Sequence, residues 1–321
     1  MDDSERETIQ YLIEMATSRE LRERVDPLLI LDENRIRQRF RLTRNGFHSL
    51  LALIQDDLAS RTLRTRSLTS AHKLGIFLEH VGSASLERTT ALTLGCSQST
   101  ISRVIAEVSD LFYRRRKEFI KWPQEDEQRV MQTRFFELCG IPHIIGALDG
   151  SHVRIIAPSI SEDSYVNRKD YHSINMAAVC NLDQRFLWGF FKVFRSSDLY
   201  RSFQTGRKTG KLLADSAYRS EKFPLKLILR EYRTAVEARY TDAVCRGRVI
   251  IENAFGSLKR QFQALHTELS LLSSRLLYRD AGADEKSIPP QYPDAGNEES
   301  QLPDVTDGDS IRRYIVENYF T

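Results

Sequence analysis

Apolar residues recur at spacings of three and four through the first third of the chain. Beyond residue 122 they gather into shorter consecutive runs. The first pattern predicts helices and the second predicts buried strands. Ile9, Leu12, Ile13 and Leu21 mark a short amphipathic helix ending near Arg24. From Asn34 to Leu58, Phe40, Phe47, Leu50, Leu51 and Ile54 hold helical spacing, with Arg35, Arg37, Arg39, Arg41 and Arg44 on the polar face. Two more helices are predicted between Ser85 and Val108. The first runs from Leu86 to Leu94 and stops at Gly95, which enters the left-handed conformation without penalty; the Ser97 hydroxyl caps the second. In that second helix Ile101, Val104, Ile105 and Val108 share a face, which leaves Gln98, Ser99, Ser102 and Arg103 outward near its start.

Phe119-Ile120-Lys121-Trp122-Pro123 closes the helical region, because the residue before proline is pushed out of helical geometry. That sets a boundary between a helical region, residues 1–122, and a second domain, residues 123–278. The second domain opens with a helix from about Glu125 to Leu138 and continues with a strand from His143 to Asp149. Asp149-Gly150 then predicts a sharp turn before a second β-rich run. Ser173–Cys180 and Arg185–Val193 read as further strands, and Lys211–Asp215 as another short apolar strand ending in aspartate. A helix over Arg246–Arg260 carries a stripe of Ile251, Phe255, Leu258 and Phe262 suited to packing on a sheet. Residues 279–310 are too rich in Asp, Glu, Pro, Gly and Ser to bury a core and are expected to be disordered. A short C-terminal helix, residues 311–321, follows. The whole predicts an α/β protein with an all-helical N-terminal region and a mixed sheet.

Composition narrows the function. The 321 residues carry a net charge of only +3, so a nucleic-acid surface has to be a local cluster and not a polycationic whole. The four cysteines form no CxxC pair, which argues for reduced thiols in an intracellular protein and against a zinc knuckle. The N-terminus lacks a signal-peptide pattern, and no uncharged run approaches the ~20 residues a membrane span needs, so no membrane partner is expected.

Gln98, Ser99, Ser102 and Arg103 occupy the positions that a helix-turn-helix presents to base edges, though a plain helical hairpin uses the same pattern. Arg114-Arg115-Arg116-Lys117 suits phosphate contact, nuclear import or the C-terminus of a helix. Asp149 serves either a turn or a ligand set. Asp215 serves either as a turn cap or as a second ligand. Glu252 lies beside the packing stripe with Arg248 one turn before it and Lys259 two turns after, a spacing that also suits a weak surface pair. Strand, strand and helix together supply three carboxylates, the oxygen ligands a hard cation such as Mg²⁺ takes. Two such ions can activate water and stabilise the leaving oxygen in phosphodiester cleavage. Arg248, Lys259, Arg168 and Lys169 are the candidates for holding phosphates.

In order along the chain stand Phe40-Arg41-Leu42, Gly95 to Arg103, Lys121-Trp122-Pro123, Ile145 to His152, Asn167-Arg168-Lys169 with His172 to Asn175, Leu213 to Tyr218, and Glu252 to Lys259. Through these the chain resembles the PIF/Harbinger superfamily transposases and the nucleases derived from them. The resemblance implies an RNase H-like DDE domain, with Asp149, Asp215 and Glu252 as the catalytic and metal-binding triad, and Mg²⁺ or Mn²⁺ as cofactor. It also implies a DNA substrate, a separate Myb-like DNA-binding partner protein, a homodimer for two-ended cutting, and residence in the nucleus, alone or with the cytoplasm. Two departures stand against the family pattern: the chain is short by about a loop after Trp188-Gly189-Phe190-Phe191, and no Cys-x-Leu-His-Asn type segment follows Leu272. They give the rival expectation, a host-adopted DNA-binding or adaptor protein that keeps the fold without the chemistry.

Overall fold

A computed structural model describes residues 28, 31–59, 67–158, 162–190, 194–218, 221–228, 233–267 and 306–320. The chain divides into two compact units, residues 1–80 with 85–105, and residues 81–84 with 106–321.

The first unit contains α1 (Glu33–Phe40), α2 (Arg44–Ile54), most of α3 (Ser70–Ser83), α4 (Glu87–Leu94) and the beginning of α5 (Gln98–Phe119). The helical run expected from Asn34 to Leu58 is two helices. Arg41 takes a left-handed φ of 61° and closes α1, and the Thr43 hydroxyl accepts the Gly46 N–H to cap α2. Phe40 and Phe47 flank this break, fully buried, with ring centroids 5.3 Å apart, so the bend folds both helices onto one core. Much of the arginine face is neutralised: Arg35 pairs with Asp32, Arg37 with Glu33 and Arg39 with Glu79. The helix expected before Arg24 lies outside the described residues. Gly95 ends α4 at φ 63°, and the Ser97 hydroxyl accepts the Thr100 N–H at the start of α5. Ile101, Val104, Ile105 and Val108 are buried, while Gln98, Ser99 and Arg103 are exposed and Ser102 is half-buried. α5 continues for 22 residues through the basic run, where Arg114 pairs with Asp110 and Arg115 with Glu118.

The second unit holds α6 (Glu125–Cys139), β1 (Ile144–Arg154), β2 (Ser173–Cys180), β3 (Phe186–Phe190), α7 (Asp198–Gln204), β4 (Lys211–Leu213), β5 (Pro224–Leu225), α8 (Ala235–Gln261) and α9 (Thr306–Tyr319). The sheet order is β3-β2-β1-β4-β5. β3, β2 and β1 are antiparallel neighbours, whereas β1, β4 and β5 run parallel. This is the expected α/β arrangement, with the mixed sheet of an RNase H-like domain. One sheet face packs Ala147, Ala178, Cys180, Leu213 and Leu225 under side chains of α6, α8 and α9. The other packs Leu148, Val179, Leu187 and Leu212 against Leu199, Tyr200 and Phe203 of α7.

Two expectations are corrected here. β1 does not turn at Asp149-Gly150; it stays paired with β2 from Ala147↔Cys180 to Arg154↔Ser173, so the reversal comes after Ile155. Continuous ladder bonding overrides the local turn preference of Asp-Gly. α9 begins at Thr306, inside the stretch expected to be disordered, because its apolar residues have the sheet domain to bury against: Ile315 and Val316 join the core under α8. Residues 279–305 of that stretch lie outside the described residues.

Candidate active site: three carboxylates around one arginine

The parallel register of β1 and β4 pairs Ala147 with Leu213. Asp149 and Asp215 each lie two residues further on, so the period-2 alternation of strands brings both to one level on the face that α8 covers. This is the carboxyl end of the parallel strands, the usual location of sites in α/β sheets.

α8 starts at a capping box, in which the Thr234 hydroxyl accepts the Glu237 N–H and the Glu237 carboxylate accepts the Thr234 N–H. Its buried stripe comprises Tyr240, Val244, Gly247, Arg248, Ile251 and Phe255. Gly247 sets the approach to the sheet. A Cβ there would fall 2.1 Å from Leu213 Cδ1, so the helix backbone comes closer to β4 than any side chain allows. Arg248 follows in the same stripe. Its guanidinium lies 3.3 Å from Asp149 Oδ2, 3.5 Å from Asp215 Oδ1 and 3.3 Å from Glu252 Oε1.

The three acids form a gradient from floor to rim. Asp149 is the most enclosed, Asp215 is intermediate, and Glu252 has 54% of its side chain exposed. Backbone N–H groups steady the inner two: Gly150 donates to Asp149 Oδ1 at 2.8 Å and Ser216 to Asp215 Oδ1 at 2.6 Å. Burial pushes the Asp149 carboxyl above the usual aspartate range. The charges of Asp215 and Glu252 push the same way, against the Gly150 N–H and the Arg248 guanidinium.

The donor set is all-oxygen and anionic, which suits a hard divalent cation, and Arg248 marks the point where positive charge is already met by all three acids. Among the described residues no three His, Cys, Asp or Glu side chains are close enough to share a metal ion with the acids arranged in this way.

The other candidate residues are dispersed. Arg248, expected to hold phosphate, is buried at 8% exposure among the acids, because the close approach at Gly247 draws its turn of α8 onto the sheet. Lys259 is half-buried and donates to the His152 carbonyl at 2.8 Å, and burial lowers its pKa. Arg168 and Lys169 are exposed on the β1–β2 connection. There buried Asn167 anchors the loop, accepting the Lys169 N–H at 2.8 Å and donating to Ser173 Oγ at 2.7 Å. Gln98, Ser99, Ser102 and Arg103 stand at the start of α5, in the other unit. Sequence reasoning missed the role of Gly247. The signal was present: a glycine inside a helix costs about 1 kcal/mol against alanine, which asks for a packing reason.

A sequence profile described as DDE superfamily endonuclease matches residues 148–277, a span that includes all three acids. The chain is 30% identical over 233 residues to a nuclease-named protein of Bos taurus, HARBI1, covering 69% of this chain and 66% of that one. It is 28% identical over 309 residues to HARBI1 of Mus musculus, covering 87% and 88%. With the Arabidopsis thaliana protein named antagonist of like heterochromatin protein 1 it shares 25% identity over 155 residues, covering 46% and 39%. The match with the cattle protein thus spans just under two thirds of that relative's length. No solved structure matches the chain. No described helix is long and apolar enough to cross a membrane. With its mixed sheet and these sequence matches, the chain belongs to the DDE superfamily endonucleases and is related to the Harbinger transposase-derived nucleases.

Proposed function

We propose that this protein is a nuclease that cleaves DNA phosphodiester bonds through Asp149, Asp215 and Glu252, with Mg²⁺ or Mn²⁺ as the cation those acids would hold. The observation that carries this reading is the convergence of the three acids, from two strands and a helix, on one positive group. When bound, a hard divalent cation supplies an activated water and charge neutralisation at the leaving oxygen. The protein's own residues do the positioning: the β1–β4 register levels the two aspartates, and the backbone N–H groups of Gly150 and Ser216 orient them. Arg168 and Lys169, exposed on their anchored loop, hold the DNA backbone in this reading. Gln98, Ser99, Ser102 and Arg103 contact DNA from the start of α5.

A second reading has its own support. Arg248 already meets the charge of all three acids, as it would in a host-adopted DNA-binding protein that kept the fold without the chemistry. Plasmid nicking in Mg²⁺ or Mn²⁺ separates the two. The nuclease reading expects nicking by the intact protein and its loss in Asp149→Ala and in Glu252→Ala. DNA binding with no nicking above the variants leaves the adaptor.

A further inference from the structure

We propose that Arg248 is a built-in counter-ion to the three carboxylates, and that it must withdraw from them before a divalent ion can enter. The inference rests on the reading of Asp149, Asp215 and Glu252 as a cation site, and it adds a competitor to that site from within the chain.

The geometry sets the competition. One guanidinium lies within 3.5 Å of all three acids, through Nη1 to Asp215 and Nη2 to Asp149 and Glu252. A planar fork with five donors is suited to holding several carboxylate oxygens at once, which a compact ammonium is not. Arg248 is buried at 8% exposure, and its Nε has no hydrogen-bond partner among the described residues. A buried donor left unmade costs free energy, so the guanidinium is held in place by its charge partners and not by a complete hydrogen-bond shell. Such a group is retained strongly while the acids lack another cation and weakly once they have one. Without it, the mutual repulsion of three carboxylates in a partly enclosed pocket would be answered by the Gly150 and Ser216 N–H groups but by no full positive charge from Arg248. Among the described residues no three acids are close enough to share an ion. An entering divalent cation therefore has to displace a charge that the fold has already placed, which lowers its apparent affinity by the fraction of molecules in which Arg248 is withdrawn.

The exposure gradient gives the route. Glu252 is at the rim, one turn beyond Arg248 on the same helix, so the guanidinium can leave the aspartates by swinging outward while keeping the Glu252 contact. Arg248 is thus a positioning residue that sets the threshold for cation entry.

The test compares intact full-length protein with Arg248→Met and Arg248→Lys, reading Mn²⁺ binding by titration calorimetry and the thermal midpoint with and without Mn²⁺, with no substrate present. The expected result is Mn²⁺ binding at least tenfold tighter in Arg248→Met than in the native protein. Its metal-free midpoint is lower than native, and Mn²⁺ restores it, whereas the native midpoint moves little. Arg248→Lys, which keeps the charge but loses the fork, falls between the two. If Arg248→Met folds only in Mn²⁺, that dependence supports the inference, and Arg248→Lys carries the affinity comparison. Equal or weaker Mn²⁺ binding in the variants than in the native protein overturns the counter-ion role and leaves the cation site standing. Absence of Mn²⁺ binding in all three proteins overturns both.

Discussion

Taking an arginine out of water costs several kcal/mol unless its charge is met, and Arg248 is met by three acids at graded depth. In the proposed nuclease, that gradient separates structural from chemical roles. Glu252 is half-exposed, so Glu252→Gln should shift unfolding free energy by less than about 1 kcal/mol while abolishing nicking. Urea denaturation beside the plasmid assay checks both halves, and a large stability loss would assign Glu252 to structure instead. The two aspartates stood out at this scale because an apolar run ending in aspartate occurs twice. Arg248 was not, since its spacing from Glu252 is that of any surface pair and its burial depends on contacts distant in sequence. The cysteines give an independent check on burial. Burial pushes the Cys180 thiol up to about 12 and raises that of Cys139, so both stay protonated at pH 8, whereas Cys245 is exposed. A thiol reagent at that pH should label Cys245 in the native protein and reach Cys139 and Cys180 only after denaturation. Native labelling of Cys180 would contradict the packing of β2.

At the scale of elements, α8 was only half legible. The expected helix began at Arg246, yet it begins at Ala235, and Thr234 with Glu237 three residues on had announced that start. The stripe was read from Ile251 onward; the more deeply buried half, from Tyr240 to Arg248, comes earlier. By contrast the span of β2 matched its expected residues, because a short apolar run between polar residues leaves little choice. The turn expected at Asp149-Gly150 failed because ladder pairing along β1 is a property of two strands, which one strand's sequence does not display. Where α8 meets β4 the fit is tightest, and Gly247→Ala tests it. The added Cβ would meet Leu213 Cδ1 at 2.1 Å, so helix or strand must shift. Overpacking of this kind costs about 1–3 kcal/mol, and here the shift falls one residue from Arg248. Expected are a lower urea midpoint and reduced nicking. By comparison Gly256→Ala, where a Cβ meets nothing within 4 Å, should gain up to about 1 kcal/mol from helix propensity. Equal behaviour of the two variants would remove Gly247 from the account of the site.

At the scale of the molecule, the two units carry different liabilities. Burial lowers the pKa of His80 at the end of the first unit, against a backbone hydrogen bond at Ser85 that raises it. A depressed histidine gives stability that is present above its unfolded value near 6.5 and lost as pH falls through the lower folded value. The first unit should therefore weaken on acidification below about pH 6.5, and the midpoint of His80→Leu should vary less with pH than that of the native protein. A native profile no steeper than the variant's would remove His80 as the cause. The second unit depends on its far end. Ile315 is 1% exposed within the core that also contains Ala147, Leu213 and Ile251, so residues just beyond the polar 279–305 stretch help to close the face on which the acids lie. Ile315→Ala should cost about 2–5 kcal/mol, the range for emptying a buried aliphatic site. Tyr314→Ser, on the exposed side of the same helix, should cost less than about 0.5 kcal/mol. Urea midpoints of the two decide whether α9 belongs to the sheet domain: a loss at Ile315 alone means that the last turns of the chain hold α8, and with it Arg248, against the sheet, whereas two equal and small effects would detach α9 from the core and leave α8 to be held by the sheet alone.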